Sequence, residues 1–134
     1  MARILVVDDN APVRWTLASI LQSEGHLVEQ ASNGLEALSR FSTCSYDAVV
    51  MDVYLPFVDG LEACRCLRQR SQVPILVLST TPDPTLEESA FAYGATAFTC
   101  KPLNVRGLLS WLKRVVPGGG RPNGAPGGQY LSVC

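Results

Sequence analysis

Short apolar runs alternate with amphipathic segments along the first 116 residues of the chain. The runs at 3–7, 48–51 and 73–78 are almost wholly apolar, which is typical of strands buried on both faces. Weaker strand patterns cover 27–32 and 97–100. Strands that alternate with helices at this spacing favour βαβ crossovers and a parallel sheet wrapped on both faces. We therefore predict an α/β, doubly wound fold with five parallel strands and five helices.

The predicted helices carry apolar stripes at spacings of three and four residues. Trp15, in the first helix, falls opposite the stripe. The last helix is predicted over about 104–116. We expect Leu35 of the second helix and Val105 of the last helix to face the core. Trp111 lies about 100° away from that last stripe. Both tryptophans are therefore expected at the surface or at its edge.

The composition changes sharply after residue 116. Half of the residues from 117 to 134 are glycine or proline, and Arg121 is their only charged side chain. A segment of this kind buries too little apolar surface to become ordered unaided. We predict a folded domain over 1–116 and a Gly/Pro-rich flexible tail over 117–134, with no output domain after it.

Composition and charge exclude several classes of protein. With 134 residues, 47% hydrophobic and 17% charged, the chain is typical of one globular domain. A net charge of −1 provides no field for nucleic acid, so we expect no direct nucleic-acid binding. No run approaches the ~18 apolar residues of a membrane span, and no signal peptide precedes the first strand. We expect a cytoplasmic protein without membrane attachment.

Reactive side chains follow the carboxyl ends of the predicted strands. Asp8 and Asp9 follow the first strand, Asp52 the third, Ser79 the fourth and Lys101 the fifth. These ends share one edge of a parallel sheet, where open α/β sheets bind ligands. Crowded carboxylates raise a pKa or require a cation, and oxygen-only ligands suit Mg²⁺. With a hydroxyl and an ammonium to hold phosphoryl oxygens, the set predicts phosphoryl transfer with Asp52 as nucleophile.

Over residues 2–116 the chain resembles the receiver domain of two-component response regulators. The shared motifs are Asp8-Asp9, Asp52-x-x-Leu-Pro-x-x-Asp-Gly60, Ser79, Gly94-Ala95 and Lys101-Pro102. The resemblance implies a flavodoxin-like sheet of strand order 2-1-3-4-5. It implies a single-domain, chemotaxis-regulator-like phosphoacceptor that assists its own phosphoryl transfer and dephosphorylation and is otherwise not an enzyme.

The resemblance also implies the phosphoacceptor and its metal ligands. By position, Asp52 accepts phosphate from the phosphohistidine of a histidine kinase or a histidine phosphotransfer protein. Mg²⁺ is bound directly by Asp9, by Asp52 and by the backbone carbonyl of Tyr54, whereas Asp8 acts through water.

A second group of residues is implied to bind the phosphoryl group and to switch. Ser79, with its neighbour Thr80, binds the phosphoryl group and reports phosphorylation. Lys101 contacts the phosphoryl group, and its peptide bond to Pro102 is expected to be cis. Phe98 matches the aromatic switch that packs inward in the active state.

Three residues are candidates for a partner surface. Arg14 and Trp15 lie on the first helix, beside which receivers commonly dock the phosphodonor, and Trp111 borders the surface made by about 83–116. Phosphorylation is expected to change that surface, toward a downstream protein whose identity the sequence does not specify. A phosphorylation-dependent dimer is left open.

Two alternatives to a stand-alone receiver remain. In the first, the chain is the excised N-terminal receiver of a longer regulator, for example one that binds DNA. In the second, it is a Mg²⁺-dependent phosphohydrolase that forms an aspartyl phosphate at Asp52. Such hydrolases usually place the nucleophile on the first strand with a second acid two residues later. The residue two after Asp52 is Tyr54, so the receiver is preferred.

Overall fold

The computed structural model describes residues 2–80, 83–101, 104–116 and 131–132, in which strands and helices alternate. The strands are β1 (Arg3–Val7), β2 (Leu27–Ala31), β3 (Ala48–Asp52), β4 (Ile75–Ser79), β5 (Ala97–Cys100) and β6 (Leu131–Ser132). The helices are α1 (Ala11–Ser23), α2 (Gly34–Thr43), α3 (Gly60–Arg70), α4 (Pro84–Ala92) and α5 (Val105–Val115). None of the helices in these ranges combines the length and apolar character that crossing a membrane requires.

All strand pairs are parallel, and the order across the sheet is β2-β1-β3-β4-β5-β6. The first five strands therefore have the predicted order 2-1-3-4-5. Asp52 is in register with Leu78, and Ser79 with Cys100. The carboxyl ends of the central strands thus lie side by side, as the candidate site requires.

The sixth strand is an addition to the prediction and comes from the C-terminal segment. Leu131 and Ser132 pair with Ala97 and Phe98 at the outer edge of β5. An edge strand presents unpaired N–H and C=O groups, so even two extended residues find partners there. The predicted flexibility of the rest of the tail concerns residues outside the described ranges.

The strands divide their side chains between two helical layers. Ile4 and Val50 belong to the core cluster that α1 and α5 cover. Leu5 and Val49, their neighbours in sequence, belong to the cluster covered by α2, α3 and α4. This alternation confirms the doubly wound fold, because both faces of the sheet are buried.

The predicted positions of three side chains, on two helices, are wrong. Trp111 is 1% exposed, whereas Leu35 and Val105 are exposed. On α5 the buried positions are Leu108, Trp111 and Leu112, spaced i, i+3 and i+4, so the indole lies inside the core cluster. Leu35 and Val105 both lie in the first turn of their helices. Because its side chain is buried, Trp111 does not form part of a partner surface.

Each of the five helices begins with an asparagine or aspartate N-cap in the loop that follows a strand. Each cap oxygen accepts a hydrogen bond from a backbone N–H of the first helical turn; the caps are Asn10, Asn33, Asp59, Asp83 and Asn104. Such a cap contributes about 1 kcal/mol and fixes where its helix begins. The caps therefore hold the loops at the carboxyl edge of the sheet.

Candidate functional site

The strand ends bring the predicted charged side chains together. Oxygen atoms of Asp8, Asp9 and Asp52 lie within 4.8 Å of one another. The Lys101 ammonium lies 2.8 Å from an Asp8 carboxylate oxygen and 2.9 Å from an Asp52 oxygen. One lysine thus bridges two of three clustered carboxylates, and it connects the ends of β1, β3 and β5.

Burial dominates the electrostatics of this cluster. Asp8 and Asp52 are buried, whereas Asp9 is exposed. Burial raises the pKa of Asp52, Asp8 raises it further, and Lys101 opposes both effects. Burial lowers the pKa of Lys101, but its hydrogen bonds to Asp8 and Asp52 outweigh that effect and raise the pKa above its ordinary value. Three acids against one ammonium leave a negative site that favours a cation.

The donor set fits Mg²⁺. All the clustered side-chain ligands are oxygens, which this ion prefers while retaining several waters. Within the described part of the chain, no hydrogen bond reaches the Asp9 carboxylate, so it is free to take a metal. The Tyr54 N–H donates to Asp52 Oδ1 at 3.3 Å and places Tyr54 beside the acid. The Tyr54 carbonyl as a ligand remains a prediction.

A glycine closes the loop between β3 and α3. The Gly60 N–H donates to the Val53 carbonyl at 2.7 Å. A Cβ on Gly60 would lie 2.1 Å from the Asp52 carbonyl oxygen, so only glycine permits this approach. Gly34 of α2 supports the same loop, because a Cβ there would lie 1.9 Å from the Val58 carbonyl oxygen. The loop is therefore held firmly against the acceptor.

Arg14 is tied to the acidic loop. Its guanidinium donates to the Asp8 carbonyl at 2.8 Å and to the Gln30 side-chain oxygen at 3.1 Å. Its neighbour Trp15 is 58% exposed, as its position opposite the stripe predicts. Of the two predicted docking residues, Trp15 is therefore available to a partner, whereas Arg14 holds the loop that carries Asp8 and Asp9.

The predicted switch residues differ in exposure. Ser79 and Phe98 are fully buried, and Thr80 is exposed. The Ser79 carbonyl accepts the Lys101 N–H at 2.7 Å, which joins the ends of β4 and β5. Phe98 packs in the core cluster under α2, α3 and α4, an inward position. Pro102 and its predicted cis bond lie outside the described residues.

One notable residue at this edge is not among those predicted from the sequence. Phe57 is 82% exposed, and with φ 69° it is the only non-glycine residue at positive φ among those described. The available signal was a large apolar residue in a loop that follows Pro56, where turn chemistry favours polar residues or glycine.

The family model of the response regulator receiver domain matches residues 4–113. Response regulator MprA of Mycobacterium sp. (strain KMS) is 39% identical over 115 residues, which cover 85% of this chain and 50% of MprA. Chemotaxis protein CheY4 of Vibrio cholerae is 37% identical with a TM-score of 0.81, covering 87% of this chain and 99% of CheY4. The chain spans about half the length of the curated relatives it matches.

The fold of this chain is also similar to that of a protein solved as part of a complex. A chain from the co-crystal structure of the Saccharomyces cerevisiae histidine phosphotransfer signaling protein Ypd1 with the receiver domain of its downstream response regulator Ssk1 matches with a TM-score of 0.80. The match covers 85% of this chain and 88% of that one at 23% identity, which shows the fold alone.

Proposed function

Because the chain belongs to the family of response regulator receiver domains, phosphoacceptors of two-component signalling, we propose that Asp52 is its phosphoacceptor. The observation that carries this proposal is the contact of the buried Asp52 carboxylate with Lys101, beside Asp8 and Asp9. A nucleophile next to a metal site and a cation suits phosphoryl transfer. Incubation with acetyl phosphate and Mg²⁺ tests it: the mass of the intact protein should rise by one phosphate in the wild type and not in Asp52→Asn.

The proposed reaction transfers the phosphoryl group from nitrogen to oxygen. An Asp52 oxygen attacks the phosphorus of a phosphohistidine, and the N–P bond breaks as the O–P bond forms. The imidazole leaves with the electron pair of that bond and gains a proton from solvent. Lys101 lies 2.9 Å from Asp52 and is placed to bind a phosphoryl oxygen. We assign the same role to Ser79. Mg²⁺, when bound, neutralises charge on the phosphoryl oxygens.

The three acids are proposed to hold the metal, and Asp9 gives the cleanest test because it is exposed and ties down no lysine. We expect Asp9→Asn to weaken Mg²⁺ binding about tenfold or more, because losing one charged ligand should cost more than ~1.4 kcal/mol of binding free energy. Isothermal titration of the unphosphorylated protein measures this directly. Glu88→Gln is the control, because it also removes one negative charge, from an exposed side chain on α4, and it should leave the Mg²⁺ affinity unchanged. An equal loss of affinity in both variants would mean that only the net charge of the protein matters.

The proposed phosphodonor is a protein with a phosphohistidine, either a histidine kinase or a histidine phosphotransfer protein. Membership of the receiver family supports this class of partner. Trp15 on α1 offers a docking residue, because it is exposed two turns or less from the Asp8-Asp9 loop. We expect the chain to act in the cytoplasm on a downstream protein, and without direct contact to nucleic acid or membrane.

A second candidate is the receiver of a longer response regulator. It is kept as a candidate because curated relatives such as MprA are longer, and this chain covers about half of their length. The chemistry proposed for Asp52 is the same in both cases. The phosphohydrolase alternative gains no support from the site, because Tyr54 occupies the position where such enzymes usually have a second acid.

Phosphorylation is proposed to change the surface around residues 83–116. Lys101 and Ser79 connect the acceptor to β5 and β4, which border this surface. Because such a switch is a population shift, beryllofluoride with Mg²⁺ should drive it without covalent chemistry. We expect altered amide hydrogen exchange in α4 and α5, and no such change in Asp52→Asn. Changes confined to residues 8–10 and 52–60 would contradict this output surface.

A further inference from the structure

Most of the exposed large apolar side chains lie at the edge of the sheet that carries the acidic site. Among the described residues they are Trp15, Leu27, Leu35, Tyr54, Phe57, Tyr93 and Val105. Five of them lie at the carboxyl edge of the sheet, either in the first two turns of a helix or in the loop between β3 and α3. We call these five the apolar rim: Trp15, Leu35, Tyr54, Phe57 and Val105. The other two, Leu27 and Tyr93, lie at the opposite edge.

Within the rim, Phe57 is the outlier. Its φ of 69° places it in the left-handed region, which glycine and asparagine enter most readily. Its ring is 82% exposed, so the residue combines an unfavourable backbone conformation with an apolar side chain in water. Backbone outliers of this kind persist where the surrounding structure imposes them, and they cluster at functional sites.

The loop requires the conformation but does not require a phenylalanine. The loop is held at both sides of Phe57, by the hydrogen bond from Gly60 to Val53 and by the close approach of Gly34 to Val58, so its closure restricts the backbone of position 57. Leu55 and Val58 of the same loop pack on the core, whereas Phe57 belongs to neither core cluster. The phenyl ring therefore contributes little to the packing of this domain.

The position of Phe57 identifies what covers it. Phe57 is three residues before Gly60, so their Cα atoms lie within about 11 Å of each other. Gly60 in turn touches the backbone of Asp52. A protein that buries about 800 Å² of a partner covers a footprint of about 16 Å radius. A footprint of that size centred on Asp52 therefore includes Phe57.

We propose that Phe57 anchors the phosphodonor protein and helps to select it. Aromatic residues near the centre of an interface commonly dominate its binding energy, and the surrounding contacts exclude water. Tyr54 precedes Phe57 by three residues in the same loop, and Leu35 follows Gly34, which approaches that loop at Val58. The donor surface that fits has an apolar recess beside its phosphohistidine. This inference rests on the proposed function, because it requires that Asp52 accept phosphate from a protein.

Phe57→Asn separates docking from folding, because asparagine tolerates the left-handed conformation but lacks the ring. The donor is the autophosphorylated cytoplasmic part of the histidine kinase that transfers fastest when the kinases of the same genome are compared. We expect the transfer efficiency, kcat/KM, to fall about 30-fold or more, mainly through KM. The melting temperature should stay equal or rise by about 2–4 °C, since backbone strain is relieved. Phe57→Tyr, which keeps an aromatic ring, should retain transfer.

Leu27→Asn is the control, because it also replaces an exposed large apolar side chain with asparagine, but at the opposite edge of the sheet. It should leave transfer unchanged. Equal kcat/KM for wild type and Phe57→Asn overturns the proposal, and so does an equal loss in Leu27→Asn. Slower labelling of Phe57→Asn by acetyl phosphate also overturns it, because the acceptor itself would then be distorted. Failure of the wild type to label with acetyl phosphate would instead contradict the proposed function.

Discussion

Replacing Asp52 with asparagine should abolish phosphate uptake and, in the metal-free protein at neutral pH, raise the free energy of unfolding. The first effect follows because an amide cannot serve as the nucleophile. The second follows from the crowding of Asp52 with Asp8 and from its burial, which together raise the pKa of the carboxyl group. Lys101 keeps its contact with Asp8 in the variant, so the substitution does not strand the ammonium.

The pH dependence distinguishes this explanation from a general effect of the substitution. Below the ordinary pKa of 3.8, Asp52 is neutral in both the folded and the unfolded chain and costs no stability. As the pH rises through the raised pKa of the folded state, the unfolded chain binds fewer protons, so stability is lost. The advantage of Asp52→Asn should therefore be greatest at neutral pH and vanish in acid.

Urea unfolding in the presence of a chelator, repeated across this pH range, measures the effect. Asp59→Asn is the control, because it removes one exposed charge and an asparagine caps α3 equally well. We expect that variant to take up phosphate and to unfold like the wild type. Phosphate on Asp52→Asn, or lower stability of that variant at neutral pH, would contradict the proposed acceptor and its electrostatics.

Gly60→Ala should destabilise the domain by about 3 kcal/mol, at the upper end of overpacking effects. The new methyl group would lie 2.1 Å from the Asp52 carbonyl oxygen and 2.8 Å from the Val53 Cα, both backbone atoms that cannot move aside cheaply. The backbone that must shift is the one that positions the acceptor. Phosphate uptake should therefore slow even under conditions where the variant is still folded.

Gly107→Ala is the matched control for this change. A Cβ at Gly107 meets only ordinary contacts, the nearest at 3.5 Å from the Asn104 side chain. Alanine is favoured over glycine within a helix by about 1 kcal/mol, so this variant should be more stable than the wild type. Opposite shifts of the urea midpoint are the expected result. Similar shifts for the two variants would mean that the close approach at Gly60 does not constrain the loop.

The central strands were predictable because burial on both faces leaves an unambiguous pattern. The apolar runs around Val6, Val50 and Leu76 permit no amphipathic alternative of the same length. The orientation of α5 was less predictable, because Val105, Leu108 and Leu112 define an apolar stripe that does not include Trp111. The indole enters the core only because the layer between α5 and the sheet has room for it, which is a property of the packed domain.

The acidic cluster could also be predicted, since parallel topology brings strand ends together whatever the loops do. Parallel topology alone was enough to predict that Asp8, Asp52 and Lys101 lie close together. The roles of Arg14 and Phe57 could not be predicted in the same way. The hydrogen bond of Arg14 to the Asp8 carbonyl and the left-handed conformation of Phe57 both depend on how individual loops close, which parallel topology does not determine.

Chemical mapping of the phosphorylated residue tests the phosphoacceptor most directly. Borohydride reduces an aspartyl phosphate to homoserine, which tandem mass spectrometry locates in the peptide sequence. After incubation with acetyl phosphate and Mg²⁺, we expect homoserine at position 52 alone, and none when the metal is chelated. Homoserine at position 8, 9 or 59, or equal labelling without Mg²⁺, would contradict Asp52 as the metal-dependent acceptor.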